Sequence, residues 1–146
     1  MIGRGANQTV AIVSTKNGQI VRRLKGTAGR AIAGLAASPD GKTLYFVDSQ
    51  SIWSIPTSDG EPRRLGPGDG VAPSPDGQYL VVQYNEAEGI RLAKLRVTGG
   101  EPEPIMLNLG DLRLWGRLTP NAVGDGRIVA ARFPMRSALW RFRPEE

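Results

Sequence analysis

Neither cysteine nor histidine occurs among the 146 residues. Without cysteine there is no disulfide and no thiolate nucleophile or metal ligand, and the chain is compatible with either redox compartment. Without histidine there is no imidazole general base, no serine–histidine triad and no ordinary structural zinc site. Aromatic residues are scarce at 6%. No apolar run approaches the ~18 residues of a membrane span, and Met1-Ile2-Gly3-Arg4-Gly5 leads into no apolar stretch of signal-peptide length. A soluble chain is therefore expected, and any export signal or anchor is expected upstream in a longer parent polypeptide.

Glycine and proline, by contrast, are plentiful, at 19 and 11 residues. With 40% hydrophobic and 23% charged residues, this composition suits many short strands joined by tight turns, and the length suits one domain. The stretch Ala33 to Leu65 shows how the turns are placed. Gly34 to Ala37 is short and apolar and meets Ser38-Pro39-Asp40-Gly41, where proline presets φ and aspartate bonds local backbone. In Lys42 to Val47, Leu44 and Phe46 form one alternate set and Tyr45 and Val47 the other, so this strand is expected to be covered on both faces. Ile52 to Ile55 follows, and Asp59-Gly60 marks a second hairpin before Glu61 to Leu65.

These features repeat. Ser38-Pro39-Asp40-Gly41 returns 36 residues later as Ser74-Pro75-Asp76-Gly77. A third copy with an insertion is read around Thr119-Pro120-Asn121 and Asp125-Gly126-Arg127. The strands that follow are Lys42 to Val47, Gln78 to Tyr84 and Arg127 to Phe133. The other hairpin repeats separately, as Asn17-Gly18, Asp59-Gly60 and Gly99-Gly100, with Val10, Ile52 and Leu92 each eight residues before the final glycine. Ile52-Trp53-Ser54-Ile55 is echoed by Leu139-Trp140-Arg141-Phe142.

Lettering strands a to d from the inside of each sheet outward, the expectation is an all-β propeller with helix nearly absent. Strands c and d lie in 9–24, full blades in 32–65 and 71–107, and a, b and c in 112–143. Lys25 to Arg30 and Gly66 to Gly70 are read as loops leading into strand a, and Asn85 to Gly89 as a solvent-facing loop. The 13 strands make just over three blades, whereas closed propellers have roughly 4 to 8. Two expectations follow. Either the chain belongs to a longer protein carrying the missing blades, or two copies pair as a homodimer into a six-bladed ring.

The pattern S-P-D-G-K-T-L-Y-F-V-D, followed by I-W-S-I-P-T-S-D-G-E-P-R-R-L, resembles the WD-repeat-like, TolB-like β-propeller repeats of bacteria, over about Thr9 to Phe142. The resemblance implies a six- to eight-bladed ring, often in the cell envelope or appended to peptidases or serine/threonine kinases. Leu118 to Ala130 is similar to the final blades of kinase-appended propellers.

For chemistry the sequence offers little. Asp40 and Asp76 read as structural turn residues because they recur with the turn. Asp48 is a single carboxylate at a strand end, able to face an axial channel but a poor metal site alone. Glu86 and Glu88 lack the spacing and setting of a glycosidase pair. Ser14, Ser54 and Ser137 have no base. Gly66-Pro67-Gly68-Asp69-Gly70 and Gly99-Gly100 lack the lysine and following helix of a phosphate loop. Trp53 and Trp140 share a repeat position and read as packing between sheets, which leaves Trp115 as the ligand-contact candidate. Net charge is +5, with 15 arginines, scattered rather than clustered, so nucleic acid is not the expected partner. Arg22, Arg23, Arg63 and Arg64 fall on outermost strands, where charge protects an edge, and together they are the candidate basic rim for an acidic partner. The reading is a non-catalytic binding or scaffold module with no metal and no cofactor, contacting a protein or small ligand. The alternatives are a sensor or gate within a larger bacterial enzyme and, more distantly, a calcium-assisted lactonase.

Overall fold

The computed structural model describes residues 8–87 and 89–107, with the strand backbone at 121–122 and 128–129. These residues form twelve strands: β1 (Val10–Val13), β2 (Ile20–Leu24), β3 (Ile32–Ala37), β4 (Thr43–Asp48), β5 (Ser51–Pro56), β6 (Arg63–Pro67), β7 (Gly70–Pro73), β8 (Tyr79–Glu86), β9 (Gly89–Arg96), β10 (Glu103–Ile105), β11 (Asn121–Ala122) and β12 (Ile128–Val129). A single 3-10 turn, Lys25–Thr27, is the only helical element among the described residues. β3 to β6 and β7 to β10 each form a four-stranded antiparallel meander, whereas β1–β2 and β11–β12 are two-stranded hairpins. β3 lies alongside β7, and β7 alongside β11. These three are therefore the inner strands, and each full sheet runs from a to d in chain order.

Why the sheets stack is visible in β4. Leu44 and Phe46 point to one face and join Val10, Leu24, Ile32 and Ile55 in one core cluster. Tyr45 and Val47 point to the other and join Ile52, Leu65, Leu80, Val82 and Leu95 in a second. Phe46, Ile52, Leu80 and Leu95 are wholly buried. Each such side chain contributes about 1.5–3 kcal/mol when fully removed from water. A sheet apolar on both faces gains that only with a neighbour on each side, so the stacking of sheets, rather than any one sheet, carries the stability. The expectation for Leu44/Phe46 and Tyr45/Val47 is met.

The turns are equally regular. In both a–b turns the glycine amide donates to the serine carbonyl at 2.9 Å, Gly41 to Ser38 and Gly77 to Ser74, and both glycines have φ of 69°. The c–d turns place Gly18, Asp59 and Gly99 at positive φ, at the three hairpins that the sequence marks.

Three boundaries differ from the sequence reading. Gly66 to Gly70 is mostly strand: Gly66 and Pro67 pair with Ile52 and Ser51, and Gly70 opens β7, leaving a connection of two residues. A register shift between Ile52 and Trp53 carries β6 past its expected end at Leu65, and the small Gly66 fits against Leu95. Asn85 to Gly89 is a tight hairpin, because β8 and β9 pair as far as Glu86 with Gly89. In the third copy Asn121 and Ala122 are strand and pair with Val129 and Ile128, so Asn121 belongs to a strand rather than to the expected turn. The strand expected at 137–143, with Trp140, lies outside the described residues.

Gly68 lets the two-residue connection cross the sheet interface. A Cβ built there would come within 2.4 Å of Val82 Cγ1 and 2.9 Å of Ile52 Cδ1, both on buried side chains that cannot move away. At Gly66 the nearest atom would be Leu95 Cδ2 at 3.6 Å, an ordinary contact. Gly68→Ala is expected to destabilise by about 1–3 kcal/mol through overpacking, whereas Gly66→Ala should be neutral or stabilise by up to about 1 kcal/mol as a strand-interior substitution. Urea midpoints of the two variants check this, and equal midpoints would contradict it.

Candidate functional site

The b–c turns and the d–a connections meet at one end of the sheets. Gly68, in the connection between β6 and β7, donates its amide to Gln50 in the β4–β5 turn at 2.9 Å. Its neighbour Asp69 reaches the second sheet: its amide donates to the Gln83 carbonyl at 2.7 Å, and its Oδ2 accepts from the Asn85 amide at 2.8 Å. Gln83 Nε2 then donates to Asn85 Oδ1 at 2.6 Å. Gln83 is 1% exposed and replaces the wholly apolar Val47 of the preceding repeat. A buried amide is tolerated at a strand position only when hydrogen-bonded, and Asn85 supplies that bond.

Beside this set, in which Gln83 alone is buried, stands a second one. Arg91 lies over the Tyr84 ring, 4.0 Å from its centroid, and Arg91 Nε donates to Glu86 Oε1 at 2.6 Å. Burial raises the Tyr84 phenol above its ordinary pKa, with Arg91 opposing. An exposed ion pair contributes little stability, so the fixed geometry matters more here than the energy. The same face carries Arg30, whose guanidinium lies 4.3 Å from the Trp53 centroid and donates to Asp48 Oδ2 at 3.0 Å. Asp48 also accepts from the Ser49 hydroxyl at 3.1 Å. It is thus the anchor that holds Arg30 across the sheet, and Trp53 stacks on its cross-strand neighbour Phe46 within that sheet, with centroids 6.4 Å apart.

The remaining sequence-predicted residues fall elsewhere. Asp40 Oδ1 accepts from Ser38 Oγ at 2.6 Å and from the Lys42 amide at 3.1 Å. Asp76 does the same with Ser74 Oγ at 2.5 Å and the Gln78 amide at 3.0 Å. Both are turn clamps. Arg63 donates to the Val97 and Thr98 carbonyls at 2.8 and 3.1 Å, and Arg22 reaches the Thr57 carbonyl at 3.5 Å. These two arginines occupy matching positions on successive d strands, and each reaches the c–d turn of the next sheet. Arg64 bonds the Ser51 hydroxyl at 3.2 Å within its own sheet, and Arg23 is exposed. The four do not converge on one patch. Ser14 and Ser54 sit in hairpin backbone networks. Trp115, Glu88 and Ser137 lie outside the described residues.

Arg30, Asp69, Gln83, Asn85 and Arg91 carry no motif. One signal was nonetheless present: aligning the repeats sets the polar Gln83 against Val47, a break in an otherwise apolar pattern.

No family model matches the chain, and no curated protein matches it in sequence. Solved structures do resemble it. Hydrazine synthase from Kuenenia stuttgartiensis superposes with a TM-score of 0.65 at 19% identity, over 84% of this chain and 35% of that one. TolB from Acinetobacter baumannii gives 0.63 at 17% identity, over 81% and 30%. The fold is that of a TolB-like β-propeller. The dihydro-heme d1 dehydrogenase NirN gives 0.56 at 18%, over 88% and 28%. The chain thus spans about a third of the length of these propellers, and the described residues comprise two four-stranded blades between two half-blades. At these identities the likeness concerns fold alone.

The turn clamps set an acid limit on this propeller segment. The Ser38 hydroxyl, then the Lys42 amide, hold the Asp40 carboxyl below its ordinary pKa, and Ser74 and Gln78 do so for Asp76. A carboxyl with a lowered folded pKa stabilises above its unfolded value of about 3.9. That contribution is lost as pH falls through the lowered folded value. The double variant Asp40→Asn, Asp76→Asn should therefore be less stable at neutral pH and show a shallower loss of urea midpoint below about pH 4. Parallel curves for wild type and variant would remove the clamp role.

Proposed function

We propose that the chain is a non-catalytic binding or scaffold module that contacts a protein or ligand through the face built by its b–c turns and d–a connections. The observation that supports this is the interlocked set Asp69, Gln83 and Asn85, which holds the connection and hairpin backbones in one arrangement beside the half-buried Tyr84 and the exposed Arg91 and Glu86. A surface whose loops are already ordered loses less entropy on binding. Arginine and tyrosine are side chains that form strong interface anchors.

A second reading rests on coverage. Because the chain spans about a third of the propellers it resembles, we also propose that it serves as a sensor or gating segment of a larger bacterial enzyme. Neighbouring coding sequence distinguishes the two candidates: a kinase domain upstream supports the sensor, an α/β-hydrolase domain downstream the peptidase gate.

Pull-down with the immobilised 146-residue chain tests the binding face. Arg91→Ala with Asn85→Ala is expected to abolish capture of the partners bound by wild type. Replacing Arg22, Arg23, Arg63 and Arg64 by serine should leave it intact, and the reverse result would move the site to the outer strands. Esterase and lactonase assays with calcium should show no turnover above buffer, and turnover that purifies with the chain would overturn the non-catalytic reading.

A further inference from the structure

Between the two full blades, at the end of the sheets opposite the face that carries Arg91, lies a cleft of about 340 Å³. Its walls are the two four-stranded sheets and their c–d turns, so it owes nothing to the half-blades. Thr43 and Tyr45 of β4, Ser54 of β5 and Arg63 of β6 line one side together with Glu61, and Val97 beyond β9 lines the other. Tyr45 is paired with Ser54, and Ser54 with Arg63. Directly opposed residues share a face, so these three side chains stand in a row on the side of the first full sheet that meets the second.

The repeats show what stacking requires at these positions. Strand pairing makes Tyr45 equivalent to Val81, Ser54 to Lys94 and Arg63 to Glu103, since Val81 is paired with Lys94 and Lys94 with Glu103. In the half-blade β1–β2 the place of Ser54 is taken by Ile12, opposite Arg22. Val81 is 1% exposed, so an apolar side chain serves at the position of Tyr45. Lys94 lies over the Tyr79 ring, 5.3 Å from its centroid, and so covers its own sheet where the small Ser54 leaves room. Among the described blades only the first full one combines a phenol with a small hydroxyl here, and both groups line the same hollow.

The polar groups of the cleft are largely unused by the fold. Tyr45 is 5% exposed, yet its hydroxyl, like that of Thr43, has no hydrogen-bond partner among the described residues. Ser54 Oγ reaches the Arg63 carbonyl only at 3.5 Å. The Val97 and Thr98 carbonyls hold Arg63 in place by accepting from Nη2 and Nη1, which leaves its Nε–H and one hydrogen on each terminal nitrogen. Glu61 forms no ion pair among the described residues.

We propose that this cleft binds a neutral saccharide. One carboxylate and one guanidinium, not paired with each other, leave it without net charge. An anion drawn to Arg63 meets Glu61, and a cation drawn to Glu61 meets Arg63. A sugar hydroxyl both donates and accepts, so neighbouring hydroxyls donate to Glu61 and accept from Arg63, Tyr45 and Thr43, while ring C–H groups pack on Val97. Arg63 is already fixed by two carbonyls and loses little freedom on binding. The volume falls within the roughly 300–1,000 Å³ of small-ligand sites and suits a mono- or disaccharide. This site is separate from the face of the b–c turns, and either can fail without the other.

Titrating glucose, galactose, N-acetylglucosamine and maltose in turn into the isotopically labelled 146-residue chain, followed by amide NMR shifts, tests the proposal. At least one sugar should give saturable shifts at Tyr45, Ser54, Arg63 and Val97. Ser54→Lys installs the side chain that the second full blade carries at this position, and it should abolish those shifts with an unchanged far-ultraviolet circular dichroism spectrum. Tyr45→Phe removes only the hydroxyl and should weaken binding about three- to tenfold, the loss of one net hydrogen bond. The absence of saturable shifts with all of the sugars would overturn the proposal. So would shifts that persist undiminished in both variants, or phosphate or glycine binding more tightly than any sugar, since the ligand would then lie elsewhere or carry charge.

Discussion

A four-stranded sheet with apolar side chains on both faces cannot be stable alone. In β4, Phe46 and Leu44 require a neighbour on one side, and Tyr45 and Val47 require one on the other. Either face left in water would forfeit several kcal/mol. Only an ordered stack of sheets meets this demand, and twist turns such a stack around an axis. The inner strands β3, β7 and β11 lie side by side for that reason. The buried Ile52, Leu80 and Leu95 are shared by two sheets rather than owned by one.

Polar residues in this fold mostly serve the stack. Asp40 and Asp76 close the a–b turns, Arg22 and Arg63 tie outer strands to the following sheet, and Arg30 bridges to Asp48 while lying on Trp53. The Arg63 pattern is instructive. A d strand has no in-sheet neighbour on its outer side, and an arginine that bonds two carbonyls of the next c–d turn attaches that edge without extending the sheet. Edge protection and inter-sheet attachment are therefore one device.

The face around Asp69, Gln83 and Asn85 follows a different logic. There the connection from β6 to β7 is only two residues long, so the backbone crosses directly from one blade to the next and needs Gly68 to pass Val82 and Ile52. Its two amides are satisfied on either side of the crossing, Gly68 by Gln50 of the first full sheet and Asp69 by Gln83 of the second. Function in propellers is carried by sites on the common scaffold, not by the scaffold itself.

The order of strands, the a–b and c–d turns and the two-sided character of β4 were all legible in the amino-acid sequence. Each rests on a local rule: side-chain alternation in strands, and the backbone demands of proline, aspartate and glycine in turns. The boundaries at Gly66 to Gly70 and Asn85 to Gly89 were not legible. They depend on a register shift opposite Ile52 and on how far β8 and β9 stay paired, which are properties of two strands rather than one. Nor does local pattern reveal that Arg63 meets Val97 and Thr98, or that Asp69 meets Asn85, because residues 16 to 35 apart come together only when one sheet is set against the next. Repetition determined what each blade is, and tertiary stacking decided which side chains face each other between blades, since that choice depends on sheet twist and spacing that no single repeat contains.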